Sequence, residues 1–179
     1  MQDIEKIIEE SQRLRLLRLR CEREGNTEGR LRAHIALMNL FGLTDNENNE
    51  YEKCIEYNEK PSYYISNHLE ILECVLPESY GEVIGGNRIL LDSVLDDALW
   101  FSAVCTKGYG LCSRSYPCLF GHIFRSEAEA LRDAVAVFRR YLGDFNRFPQ
   151  NTSREKKLVE RLWKWLDEVE AKNGLLAGN

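Results

Sequence analysis

The apolar positions near the N-terminus recur every three or four residues, which is the spacing of one helix face. They are Ile4, Ile7, Ile8, Leu14, Leu17 and Cys21. Leu16 and Leu19 widen this face, so the pattern predicts an amphipathic helix. Ser11 and Arg18 interrupt its apolar seam, which favours packing against the rest of the domain over a two-stranded coiled coil. Pairing of two chains through this N-terminal helix stays open as an alternative.

Five further segments carry the same helical spacing after the glycine break "GNTEG" at 25–29. They are residues 31–41, 62–76, 91–99, 126–142 and 153–169. The last two begin with capping boxes, a Ser or Thr followed three residues later by Glu, at Ser126 and Thr152. The pattern predicts about six helices.

Residues 99–104, "LWFSAV", fit either a helix or a strand, because aromatic and β-branched residues favour strands. Glycines in "TKGYG" suit a turn, so a small antiparallel β hairpin is predicted near residues 98–124. The predicted fold class is mainly α (α+β), a single helix-dominated domain over 1–179. Its predicted parts are an N-terminal helical part (1–76), a central loop and hairpin part (77–125) and C-terminal helices (126–173).

A chain of 179 residues with 44% hydrophobic and 30% charged residues has the composition of one ordered globular domain. No apolar run has the length of a signal peptide or a membrane span, so we expect a cytoplasmic protein without a membrane partner. Cysteines in that compartment are mostly reduced. Cys21, Cys54 and Cys74 each lie alone in a helical pattern, which predicts small buried apolar side chains.

The net charge of −5 disfavours nonspecific binding to nucleic acid, although the charge is distributed unevenly. Seven arginines against three acids lie in residues 13–32, and six acids against two lysines lie in 44–60. Either run is a candidate surface for a charged partner. The candidate residues are Arg13, Arg15, Arg18 and Arg20 in the basic run, and Asp45, Glu47, Glu50 and Glu52 in the acidic run.

The segment "CTKGYGLCSRSYPCLFGH" carries the main candidate chemistry. Cys105, Cys112, Cys118 and His122 are a complete ligand set for a tetrahedral structural zinc. In order and spacing the segment resembles the Cys-Cys-Cys-His type of zinc finger, with Gly110 two positions before the second cysteine and Phe120 two after the third. The resemblance covers 18 of the 179 residues, so it concerns a motif and not the whole chain.

The resemblance implies binding of single-stranded RNA, with aromatic rings stacked on bases. The stacking candidates are then Tyr109, Tyr116 and Phe120. Strongly apolar flanks, "ALWFSAV" and "IF", instead favour a hairpin docked in a core, with half-buried cysteines and no metal. We therefore expect no cofactor, and zinc is the alternative.

A nucleophilic cysteine, Cys112 or Cys118 with His122 as base, is a further alternative, but nothing in the sequence selects one. Phosphate-binding glycine loops, dinucleotide fingerprints and zinc-protease helices are absent from the sequence. The prediction is a non-catalytic intracellular protein that docks on a protein partner, as inhibitors, adaptors and anti-defence regulators do. RNA binding through the Cys3His loop, and then a cysteine-dependent enzyme, are the alternatives.

Overall fold

The computed structural model describes residues 3–43, 69–74, 87–108, 111–113, 117–145 and 152–175. These residues form four helices and four strands. The helices are α1 (Ile4–Arg23), α2 (Thr27–Leu40), α3 (Glu127–Phe145) and α4 (Ser153–Lys172). The strands are β1 (Glu70–Glu73), β2 (Arg88–Val94), β3 (Leu99–Gly108) and β4 (Leu111–Ser113). The α+β class is confirmed.

The described residues contain four helices, so they do not support the predicted count of about six. The described part of 62–76 is strand β1, so the N-terminal part is not purely helical. The segment predicted as a helix over 91–99 is the end of β2, a turn and the start of β3. Residues 99–104, left open between helix and strand, are strand.

The strands form one antiparallel sheet in the order β1-β2-β3-β4. The predicted hairpin is therefore present as β3 and β4, where Gly108 is opposite Leu111. Its second arm is shorter than predicted. Near residue 124 a single bridge continues the pairing, in which Trp100 and Phe124 exchange two backbone hydrogen bonds of 2.9 Å.

The two central strands are buried on both faces. Ile89, Leu91 and Val104 pack with the apolar sides of α3 and α4. On the opposite face, Leu99 and Phe101 pack against apolar residues of α1 and α2. Because both faces are covered, apolar residues follow one another along β2 without the alternation of a half-exposed strand.

The turn between β2 and β3 contains three consecutive non-glycine residues with positive φ: Leu95 (57°), Asp96 (54°) and Asp97 (64°). Side chains rarely adopt this left-handed region, so the turn needs support. The Ser93 hydroxyl donates to the Asp97 carboxylate, and the Trp100 Nε1–H donates to the Asp97 carbonyl at 2.9 Å. These contacts hold the turn.

The C-terminal helices begin close to where the sequence places them. The Thr152 hydroxyl and the Glu155 carboxylate form a complete capping box at α4. At α3, Glu129 N–H donates to the Ser126 hydroxyl at 3.3 Å, whereas the Glu129 carboxylate accepts from Arg125 N–H. The predicted C-terminal helices are confirmed.

Gly29, in the first turn of α2, allows α1 and α2 to pack closely after the break between them. Asn26 caps α2 by accepting a hydrogen bond from Gly29 N–H at 2.8 Å. A Cβ on Gly29 would lie 2.7 Å from the Asn26 amide nitrogen and 2.8 Å from the Cys21 sulfur. The glycine therefore permits the close approach of the two helices.

Candidate protein-binding groove

The predicted zinc ligands lie in different parts of the β3 region. Cys105 is opposite Arg88 of β2, whereas His122 lies two residues before Phe124, which pairs with Trp100 near the start of β3. Within the described residues no three His, Cys, Asp or Glu side chains form a metal-binding group. The Cys112 side chain lies outside them, so the zinc finger stays a prediction.

The aromatic residues predicted to stack on RNA are only partly described. Tyr109 and Tyr116 lie outside the described residues. Phe120 is half-buried, and its ring contacts two residues of the N-terminal helices. The Arg18 guanidinium lies 4.2 Å from the ring centroid and the His34 ring 5.7 Å from it. The ring thus has partners inside the fold.

The arginines of the basic run divide into two pairs. Arg13 and Arg20 are exposed on α1 and form ion pairs with Glu10 and Glu24 of the same helix. Arg15 and Arg18 instead point toward the 119–120 turn. The Arg15 Nη2 donates to the Leu119 carbonyl at 2.7 Å, and 12% of the Arg18 side chain is exposed.

Of the predicted surface for a charged partner, Arg13 and Arg20 are accessible. The acidic candidates Asp45, Glu47, Glu50 and Glu52 lie outside the described residues. A different acidic surface appears between β1 and α4, in the described part of the chain.

That surface is a groove of about 380 Å³ between the edge strand β1 and the C-terminal half of α4. Its apolar floor is formed by Leu72 of β1 and by Trp165 and Val169 of α4. The Ile71 side chain, 47% exposed, lies on the other face of β1, because successive side chains of a strand point to opposite faces. The charged residues on its walls are Glu70, Glu73, Glu168 and Lys172. Three carboxylates and one ammonium line the groove, and two of the carboxylates have a cation beside them: Glu73 pairs with Arg88, and Glu168 lies 3.7 Å from Arg161. The net excess of negative charge is therefore centred on Glu70.

The carboxylates at the β1 side of the groove differ in their neighbouring charges. Glu73 forms an ion pair of 3.1 Å with Arg88 of β2. Glu70 has no such cation within the described residues and lies instead beside Glu127 of α3. Partial burial, and then the charges of Glu70 and Asp97, raise the pKa of Glu127. A cation that entered beside Glu70 would relieve this repulsion.

Backbone groups line the same groove. Cys74 N–H donates to the Asn87 carbonyl at 2.9 Å, and antiparallel ladders alternate bonded and non-bonded pairs. Leu72 and Glu70 therefore bond to β2, whereas the N–H and C=O groups of Ile71 and Glu73 point away from it. In the described part of the chain no strand pairs with this outer edge of β1.

Of the two cysteines in the enzyme alternative, Cys118 lies among the described side chains and Cys112 does not. The four cysteines with described side chains, Cys21, Cys74, Cys105 and Cys118, are free thiols. Burial raises the pKa of the Cys74 thiol to about 11, which makes it unreactive. Cys118 lies near the Arg15 guanidinium, and this contact opposes the lowering of the Arg15 pKa by burial. Cys21 and Cys74 are buried, as predicted.

Comparison with protein-family models, with curated proteins and with solved structures gave no match. Within the described residues, no helix is long and apolar enough to cross a lipid bilayer. The groove between β1 and α4 is therefore the basis for a proposed function.

The sequence did not indicate Glu70, Ile71 or Trp165 as binding residues. Ile71 was placed in a predicted helix, where alternate residues do not share an edge. Trp165 was placed in the core, and its ring does pack edge-to-face against Phe138, with 5.6 Å between the ring centroids. Glu-Ile-Leu-Glu does not alternate polar and apolar residues, so no local pattern marked this segment as an edge strand.

Proposed function

We propose that this chain is a non-catalytic intracellular binding protein that docks on a protein partner through the groove between β1 and α4. The partner contributes an extended segment with basic side chains. The outward-facing backbone of Ile71 and Glu73 carries this proposal, because unpaired edge groups accept a further strand. An inhibitor or an adaptor would use such a contact.

Charge and shape support a basic rather than an acidic segment. An extended segment placed beside β1 presents alternate side chains to opposite sides of the sheet. Residues on one side would meet Trp165 and Val169 of α4, which favours an apolar side chain there. Residues near the rim would meet Glu70 and Glu168, which favours lysine or arginine.

A direct test measures binding of a fluorescein-labelled peptide of alternating valine and arginine by fluorescence anisotropy. Its control is the same peptide with glutamate in place of arginine. We expect the basic peptide to bind, and we expect its affinity to fall as the salt concentration rises from about 0.05 to 0.5 M, because salt screens exposed charges. The acidic peptide is expected not to bind.

Two charge-reversal variants of α4 locate the contact. Glu168→Lys lies in the groove, whereas Glu160→Lys makes the same charge change on the same helix outside it. We expect the first to weaken binding about 5- to 30-fold, since one added repulsion and one lost attraction together amount to about 1–2 kcal/mol. The second should change the affinity less than about 2-fold.

Backbone pairing is tested with two basic peptides, one N-methylated at its odd residues and one at its even residues, because only one of these sets of N–H groups can face β1. Methylation removes the donors that a paired strand needs and retains every charge. Loss of binding supports strand addition. Three results would each contradict the proposal. The methylated and unmethylated peptides could bind equally, the two lysine variants could have equal effects, or the basic peptide could fail to bind.

A further inference from the structure

Helix α1 has a second row of residues on the side opposite its buried face. The buried row contains Ile7, Ser11, Leu14, Arg18 and Cys21, at steps of four and three. The opposite row contains Glu9, Gln12, Leu16, Leu19 and Arg23, again at steps of three and four. All five residues of the second row are exposed.

The exposed leucines are unusual for a helix face in water. Leu16 is 67% exposed and Leu19 is 48% exposed, and neighbouring Leu17 is 39% exposed. These are three of the five large hydrophobic residues that are exposed in the described part of the chain. The sequence pattern placed all three on the buried face, and this prediction is wrong. Leu16 and Leu19 adjoin on the helix surface because they are three residues apart, and adjoining exposed apolar side chains can form an interface.

The charges at the two ends of the exposed row have opposite signs, which suits a second copy of the same row as the binding partner. Glu9 lies near the N-terminal end and Arg23 near the C-terminal end, about 21 Å apart along the helix. Leu16 lies midway between them. Neither charged side chain forms an ion pair within the described residues, although Arg23 makes a long hydrogen bond to the Leu19 carbonyl.

We propose that the exposed row of α1 binds α1 of a second copy of this chain, antiparallel and about a twofold axis at Leu16. In this arrangement Glu9 lies opposite Arg23 of the second copy, and Leu16 lies opposite Leu16. A parallel pair would place Glu9 against Glu9 and Arg23 against Arg23. The site shares no residue with the groove between β1 and α4, so this proposal does not depend on the proposed function.

One helix face is smaller than the interface of a stable dimer, so a concentration-dependent dimer is expected, with a Kd on the order of 10–100 µM. Sedimentation equilibrium of the full chain over about 1–500 µM measures it directly. Leu16→Glu should weaken association at least about 10-fold, because it places two carboxylates at the axis. Tyr141→Glu, a similar change at an exposed residue of α3, should weaken it less than about 2-fold.

Charge exchange tests the orientation. Glu9→Arg and Arg23→Glu should each weaken the dimer about 3- to 10-fold, and the double variant should restore it to within about 2-fold. In a parallel pair neither single change would alter the like-charge contacts. Because both changes also oppose the helix dipole, circular dichroism and thermal unfolding verify that α1 stays folded.

The outcomes distinguish clearly among the alternatives. A chain that is monomeric at every concentration overturns the proposal, as does a dimer that Leu16→Glu does not weaken. Single charge variants that associate as well as the native chain would refute the antiparallel orientation. Failure of peptide binding at the groove would leave all of these measurements unaffected.

Discussion

Replacement of Arg15 by alanine should destabilise the fold rather than weaken a surface contact. The Arg15 Nη2 donates to the carbonyl of Leu119, a residue with no exposed surface. A hydrogen bond with a charged donor contributes about 1.5–3 kcal/mol to stability, and its loss leaves the carbonyl without this donor. Burial opposes the charge and lowers the Arg15 pKa, and Nε makes no hydrogen bond in the described part of the chain. We therefore expect a net loss of about 1–2 kcal/mol in the free energy of unfolding.

Urea unfolding followed by tryptophan fluorescence measures this loss. With a slope of about 2 kcal/mol/M, the midpoint should fall by about 0.5–1 M. Arg13→Ala is the matched control, because it removes the same side chain from the same helix at a site where 64% of it is exposed. Its midpoint should lie close to that of the native chain, since an exposed ion pair contributes little.

Arg15→Met separates the hydrogen bond from the packing of the aliphatic stem. Methionine retains much of the buried apolar surface and lacks the donor, so it should show most of the loss. A stabilising role for the hydrogen bond from Arg15 to Leu119 is refuted if Arg15→Met is as stable as the native chain. It is also refuted if Arg15→Ala and Arg13→Ala shift the urea midpoint equally. Either result would favour the sequence-based prediction that Arg15 belongs to an accessible surface for a charged partner.

Two further predictions concern Cys74 and Arg139. Burial raises the pKa of the Cys74 thiol from 9.0 to about 11, so its contribution to stability is present below pH 9 and is lost as pH rises toward 11. The difference in urea midpoint between the native chain and Cys74→Ala should therefore shrink between about pH 8 and 10.5, and an unchanged difference would contradict this. Arg139 joins α3 to α4 through Asp167 at 2.7 Å and Glu170 at 2.5 Å. Arg139→Ala should cost about 1 kcal/mol in thermal or urea unfolding and the exposed Arg140→Ala much less; equal costs would exclude a role for these contacts.

The sequence predicted the C-terminal helices well because their signals are local. The Thr152 and Glu155 pair forms the capping box that the spacing indicated, and Leu158, Leu162 and Leu166 are buried at helical steps. A capping box and an apolar face depend on residues within one or two turns. Neither requires knowledge of the rest of the fold.

The same reasoning gave the wrong element for β2 and its turn, for two physical reasons. Ile89, Leu90, Leu91 and Val94 are all buried, and a strand covered on both faces has no alternation to set it apart from a helix. The turn at 95–97 also contains no glycine or asparagine, and Asp96 and Asp97 are a weaker signal for the left-handed region that Leu95 does not share.

The candidate groove was not predictable from local patterns. It exists because β1 lies at a sheet edge beside the end of α4, and the two elements are about 100 residues apart in sequence. The exposure of Leu16 was not predictable for the same reason, since the buried side of α1 is set by contacts with residues distant in sequence, such as that of Arg18 with Phe120. Residues that are apolar on both sides of a helix do not reveal which side is buried.

The strand order of the sheet follows the order of the chain, so each described strand pairs with its sequence neighbour. The contacts of α1 with the rest of the molecule differ. Arg15 and Leu119 are 104 residues apart, and Glu5 and Arg125 are 120 residues apart. Closing such loops costs entropy before any contact rewards it. We therefore expect the α1–α2 hairpin to dock late in folding, so that loss of its interface contacts should accelerate unfolding more than it slows folding.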